Sequence, residues 1–146
     1  MKKFSYVVAV DGSEWSDRAA ERAITLAAQT GAQVHFITAL QWGNYQPLYV
    51  GDFTTQPILE KEEEEEAVRA HILTPLEERY ADSGVTIKSD LYWGNPAEVV
   101  KKQAKKEHAN MIFVGRRGRS KIADLFVGSV ANSLAHTAGV PIVLVP

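Results

Sequence analysis

The sequence predicts an α/β protein: an open, five-stranded parallel sheet with helices on both faces. Three observations carry that expectation. Short runs rich in valine and isoleucine alternate with longer segments of helical period, in the order β-α-β-α-β-α-β-α-β. The runs are apolar enough to be covered on both faces, which is the habit of parallel strands. The two stretches richest in turn and charged residues, Asp11-Gly12-Ser13 and Gly115-Arg116-Arg117-Gly118, each follow directly on such a run. In a sheet of this kind ligands bind outside the carboxyl ends of the strands, where the strand order reverses.

The first strand is expected over Phe4–Val10 (FSYVVAV), a run too short for a helix and rich in β-branched residues. Ser13 or Ser16 can cap a helix whose apolar positions Ala20, Ile24, Ala27 and Ala28 keep the 3.6-residue period, and Gly31 suits its end. Gln33–Leu40 (QVHFITAL) supplies the second strand. Gln41–Gln56 shows no period. From about Pro57 a long helix is expected, with Val68, Ile72, Leu76 and Tyr80 at intervals of four and with Pro75 kinking or splitting it. Ser83-Gly84 closes that helix, and Val85–Trp93 alternates like a strand. Asn95 as cap and Pro96 at the first helical position start the next helix, with Ala97, Val100, Ala104 and His108 as its inner stripe. Met111–Val114 is a short strand ending on Gly115, a last helix follows Gly128, and Pro141–Val145 (PIVLV) is the final strand.

Bulk properties narrow the function classes. A chain of 146 residues fits one domain, which at that length buries roughly 70% of the surface of the unfolded chain. There are no cysteines, which excludes disulfides, thiolate metal sites and cysteine nucleophiles and fits a reducing cytoplasm. The net charge of -2 and pI near 6.1 argue against a basic nucleic-acid surface. The opening MKKFSYVVAVDGS has an apolar run that is short, β-branched and stopped by Asp11, so it is expected to be a strand and not a signal peptide. No run approaches the ~18 apolar residues of a membrane span. A cytoplasmic protein without nucleic-acid or membrane partners is expected.

The chemistry concentrates in GRRGRSKIADLFVGS, Gly115 to Ser129. Gly115 ends a strand, where its backbone can face a ligand unobstructed, and Gly118 allows a tight loop or a left-handed conformation. Gly128-Ser129-Val130 opens a helix whose first amides point outward with the positive end of the dipole, and Ser129 adds a hydroxyl. Together they suit a ribose and a phosphate chain. The same residues also suit a plain strand-to-helix turn followed by an ordinary cap. P-loop, G-x-G-x-x-G and G-x-S-x-G motifs are absent.

The run GRRGRSKIADLFVGSVANSLAHTAGVPIVLVP resembles the carboxyl-terminal signature of the universal stress protein family. Members that bind ATP carry G-x2-G-x9-G-[ST], which Gly115, Gly118, Gly128 and Ser129 match, and the likeness extends through Val114 and the closing PIVLV. AVDGSEWSDRAA resembles the family's first strand and helix, although Ala9 stands where some ATP-binding members have proline. The resemblance implies an open flavodoxin- or Rossmann-like sheet, usually in a homodimer. It also implies a site for ATP, with magnesium. Asp11 would lie beside the ribose, and Ala39 would offer backbone to the adenine edge. Gly115 and Gly118, after Val114, would hold the ribose and first phosphate, and Gly128, Ser129 and Val130 the outer phosphates. A regulatory ATP-binding module is the expected function, with a slow ATPase or self-phosphorylating enzyme as the alternative; no residue is assigned as catalytic. A homodimer through PIVLV and a downstream protein partner are expected.

The remaining features have plain explanations. Arg116, Arg117, Arg119 and Lys121 either neutralise phosphates or form a solvated basic loop. Glu60–Glu66 (EKEEEEE) suits a solvated helix face, with a metal or partner site as the alternative. His35, His71, His108 and His136 show no metal-ligand spacing and are expected in packing or surface roles. Trp15, Trp42 and Trp93 are expected in the core before any stacking on a base.

Overall fold

Valine, isoleucine and phenylalanine at every position of a short run leave no polar side for water, so such runs pair inside a sheet. The computed structural model describes residues 3–41, 58–118 and 128–146, and in it the five strands form one parallel sheet in the order β3-β2-β1-β4-β5. The strands are β1 (Ser5–Ala9), β2 (Gln33–Leu40), β3 (Ile87–Trp93), β4 (Met111–Gly115) and β5 (Ile142–Val145). Val8 at the centre pairs Phe36 of β2 on one side and Phe113 of β4 on the other. The order reverses between β1 and β4, in the 3-2-1-4-5 manner of dinucleotide folds and not the 2-1-3-4-5 manner of flavodoxin. The switch point therefore opens above Asp11 and Gly115.

Helices cover both faces. α1 (Glu14–Thr30) and α3 (Thr74–Arg79) pack on one; α4 (Pro96–Lys106) and α5 (Ser129–Thr137) pack on the other. Tyr6, Val8, Val34 and Phe36 fill the first layer, while Val7, Ile37, Ile112 and Val114 fill the second. Ser13 caps α1 by accepting from the amide of Ser16 at 3.2 Å, and Gly31 ends it in the left-handed conformation. Ala28 is exposed, because the buried stripe runs through Ser16, Ala19, Ala20, Ala23, Ile24 and Ala27.

α2 (Ile58–Val68) continues as a single π-helical turn over Arg69–Leu73 before α3. The cause is Pro75: it has no amide to donate to His71, and the Thr74 amide bonds the Arg69 carbonyl instead. The wider turn brings Leu73 into the core beside Leu76, one position off the expected stripe of fours. His108 also departs from its expected stripe. It lies beyond the end of α4, exposed and with φ 53°.

His35 is held on the α4 face of β2. Its Nδ1 is 2.6 Å from Glu107 Oε2 and its Nε2 is 2.7 Å from Asp90 Oδ2, and the ring is 2% exposed. The Ser5 hydroxyl donates to Glu107 Oε1 at 2.9 Å. Glu107 sits just past α4 and Asp90 on β3, so this packing role ties three elements together.

Candidate functional site

A cavity of about 610 Å³ lies over the carboxyl ends of β1, β2 and β4, within the ~300–1,000 Å³ usual for ligand pockets. Asp11, Ala39, Val114, Gly115, Gly118, Gly128, Ser129 and Val130 all line it. Residues spread over the whole chain thus meet at the switch point.

Asp11 follows β1 and is fixed by a turn: its Oδ1 accepts from the Ser13 amide at 2.9 Å, and its own amide donates to Ser16 Oγ at 3.2 Å. Asp11-Gly12-Ser13 is therefore a turn stacked on the start of α1, and Gly12 is left-handed there with φ 82°. The other carboxylate oxygen faces Gly118, where an added Cβ would come within 2.8 Å of Oδ2.

Ala39 lies where β2 outruns β1, whose ladder ends at Ala9 opposite Ile37. Successive residues of a parallel strand direct their peptide groups to opposite neighbours. The Ile37 carbonyl accepts from Val10 and the Leu40 carbonyl from Gly94, beyond β3. The peptide groups of Ala39 consequently face the β1 side, past the last residue of β1.

The glycines have different reasons. An added Cβ on Gly115 would meet the backbone of Trp15 at 2.8 Å, so the missing side chain makes room for α1 and not for a ligand. Gly118 does not take a left-handed φ; its constraint is the close approach of Asp11. Gly128 donates to the Arg116 carbonyl at 2.6 Å, and a Cβ there would lie 3.3 Å from the Gly118 nitrogen. The chain leaves β4 and returns to α5 at one point, closing the nine-residue spacer.

At that point the helix ends differ. Ser13 caps α1 and Asn95 caps α4, each through a side-chain oxygen, but Gly128 offers no side chain to α5. Among the described residues no side chain caps the first amides of α5, which lie at the cavity wall and suit an external acceptor. The exposed Ser129 is the first residue of that turn. Arg117 also lines the cavity, with its Nε buried and without a hydrogen-bond partner among the described residues. Arg116 is exposed; Arg119 and Lys121 lie outside the described residues, as do Trp42 and nearly all of the 41–56 segment.

The glutamate run is not a uniformly solvated face. Glu62, Glu63 and Glu66 are exposed, whereas Glu64 and Glu65 turn inward. Glu65 Oε1 accepts from Trp93 Nε1 at 2.6 Å, and Lys61 stands 5.5 Å over the Trp93 ring. Glu64 lines the cavity with Val68 and Ile72, its Oε2 sealed from solvent without a hydrogen-bond partner among the described residues. Burial pushes its carboxyl above the usual range. The stripe of fours, carried back one step from Val68, lands on Glu64 and would have found it.

Among the described residues no group of three histidine, cysteine or acidic side chains is placed to hold a metal ion, and no helix is long and apolar enough to cross a membrane.

Comparison with known proteins agrees with this architecture. The model of the universal stress protein family matches residues 6–146. A universal stress protein of Thermus aquaticus is 32% identical over 143 residues, spanning 95% of this chain and 96% of its own. Among solved structures, the universal stress protein UspA from Lactobacillus plantarum superposes with a TM-score of 0.80 at 18% identity, covering 100% of this chain and 99% of its own. A universal stress protein solved in complex with cAMP superposes with a TM-score of 0.71 at 25% identity, covering 99% and 98%.

Proposed function

The chain belongs to the universal stress protein family, and from that membership we propose that it is a regulatory module that binds ATP in the switch-point cavity. One observation carries the reading: a helix N-terminus without a side-chain cap among the described residues and Gly118 meet over Asp11, on a cavity that Ala39 also lines. The α5 amides with Ser129 and Val130 suit the outer phosphates, and Gly118 suits the first. Asp11 suits a ribose hydroxyl, and the Ala39 peptide groups suit the edge of adenine. Arg117 adds a cation on the phosphate side. The complex of a relative with cAMP supports an adenine nucleotide as the ligand class. A magnesium ion accompanying a triphosphate would be held chiefly by phosphate oxygens and water, with the Ser129 hydroxyl at hand. The module would act in the cytoplasm by changing loop order or contacts with occupancy, and a downstream protein would sense the change.

We also propose a two-fold dimer through β5. That strand is a sheet edge with Leu144 40% exposed, and pairing with its twin would cover the edge.

Titration of nucleotide-free protein with Mg-ATP should show one site per chain. Gly118→Val should abolish binding by driving Asp11 aside and closing the backbone approach, while far-ultraviolet circular dichroism keeps its native form. Undiminished affinity in that folded variant would refute the site.

A further inference from the structure

Among the described residues, two polar atoms in the cavity are buried without hydrogen-bond partners, and they have opposite character. Glu64 Oε2 is an acceptor and Arg117 Nε is a donor. A buried polar atom left unpaired is disfavoured, so the pair describes the ligand: a donor at one end and an acceptor or anion at the other. Their places in the fold assign the ends. Arg117 stands beside Gly118 and Gly128, where the α5 amides open. Glu64 belongs to the α2 turn whose next residue, Glu65, bonds Trp93, and Trp93 pairs Leu40 across the β2–β3 ladder. It therefore stands at the Ala39 end of the cavity. A carboxylate is unsuited to face phosphate, which it would repel, and is suited to a group that carries N–H.

Building on the nucleotide reading, we propose that Glu64 is a specificity residue that accepts a hydrogen bond from the exocyclic amino group of the bound purine. That amine carries two hydrogens, so Glu64 can share it with the Ala39 peptide. A hypoxanthine nucleotide has the same ribose and phosphates but places a carbonyl oxygen where adenine has the amine. Against it Glu64 meets an acceptor with an acceptor, and the site rejects it.

The test compares ATP with ITP by equilibrium dialysis in the wild-type chain and in Glu64→Gln. Glutamine keeps the size of the side chain and offers either an acceptor or a donor, so it can serve both bases. The wild type should prefer ATP, and the ATP-to-ITP affinity ratio should fall about tenfold in Glu64→Gln, the effect of one hydrogen bond to a charged group. A change confined to packing or net charge would move both affinities together, and the ratio cancels any unfolded fraction. An unchanged ratio in a variant that still binds ATP overturns the role of Glu64 alone. A wild type that binds neither nucleotide overturns the nucleotide reading and this inference with it.

Discussion

Gly115 and Gly118 stand three apart in the sequence, yet a methyl group on each would meet very different resistance. At Gly115 it would run into the backbone of Trp15 at 2.8 Å, and a helix backbone cannot swing away. At Gly118 the obstacle is Asp11 Oδ2, the tip of a side chain, which can. Gly115→Ala should therefore destabilise the fold by about 1–3 kcal/mol as an overpacking change, seen as a lower melting temperature. Gly118→Ala should melt near the wild type and weaken nucleotide binding instead. Equal melting of the two variants would contradict this division. The spacing of the glycines was legible in the sequence, and all eight residues expected at the site line one cavity. The separate reasons for Gly115 and Gly118 were not legible, because they rest on Trp15 and Asp11, about a hundred residues away. Glu64 was hidden for another reason: among five consecutive glutamates, only its place on the Val68–Ile72 stripe marks it out.

The elements themselves were mostly legible because each is amphipathic or apolar in a way that local pattern records. β1 to β5 fall within one or two residues of their expected positions, and Pro75 announced a break in the long helix. What pattern could not record is a contact across the sheet, and the His35 network is the clearest case. His35, Asp90 and Glu107 belong to β2, β3 and the end of α4. Burial raises the Glu107 carboxyl, but hydrogen bonds from His35 and Ser5 and the charge on His35 outweigh it, so the group titrates below its ordinary range. A carboxyl whose pKa is depressed in the native state stabilises the fold above the ordinary range and loses that contribution as pH falls through the native value. Glu107→Gln should accordingly cost about 1–3 kcal/mol at pH 7. The deficit should shrink as urea-unfolding measurements are carried down through and below the ordinary carboxylate range. A deficit independent of pH would show that the charge on Glu107 contributes nothing.

At the scale of the whole molecule, the proposed dimer rests on the β5 edge. Ile142 and Val143 are half-buried and Leu144 is exposed, an apolar arrangement for an edge that faces water. Leu144→Lys should shift a dimer toward monomer in size-exclusion chromatography with light scattering, without changing the melting of the monomer. A wild-type chain that is monomeric at micromolar concentration would remove the basis for that interface. The switch point has a consequence of a different kind. Asp11 and Ala39 come from the half of the chain that builds β1, β2 and β3, and Gly118, Gly128, Ser129 and Val130 from the half that builds β4 and β5. The cavity straddles the seam between the halves. A ligand lodged there is a fastener, since neither half can open without giving it up, and at a hundred times its Kd it would add about 2.7 kcal/mol to the unfolding free energy. Occupancy would then be felt as stiffness across the sheet, far from any atom the ligand touches.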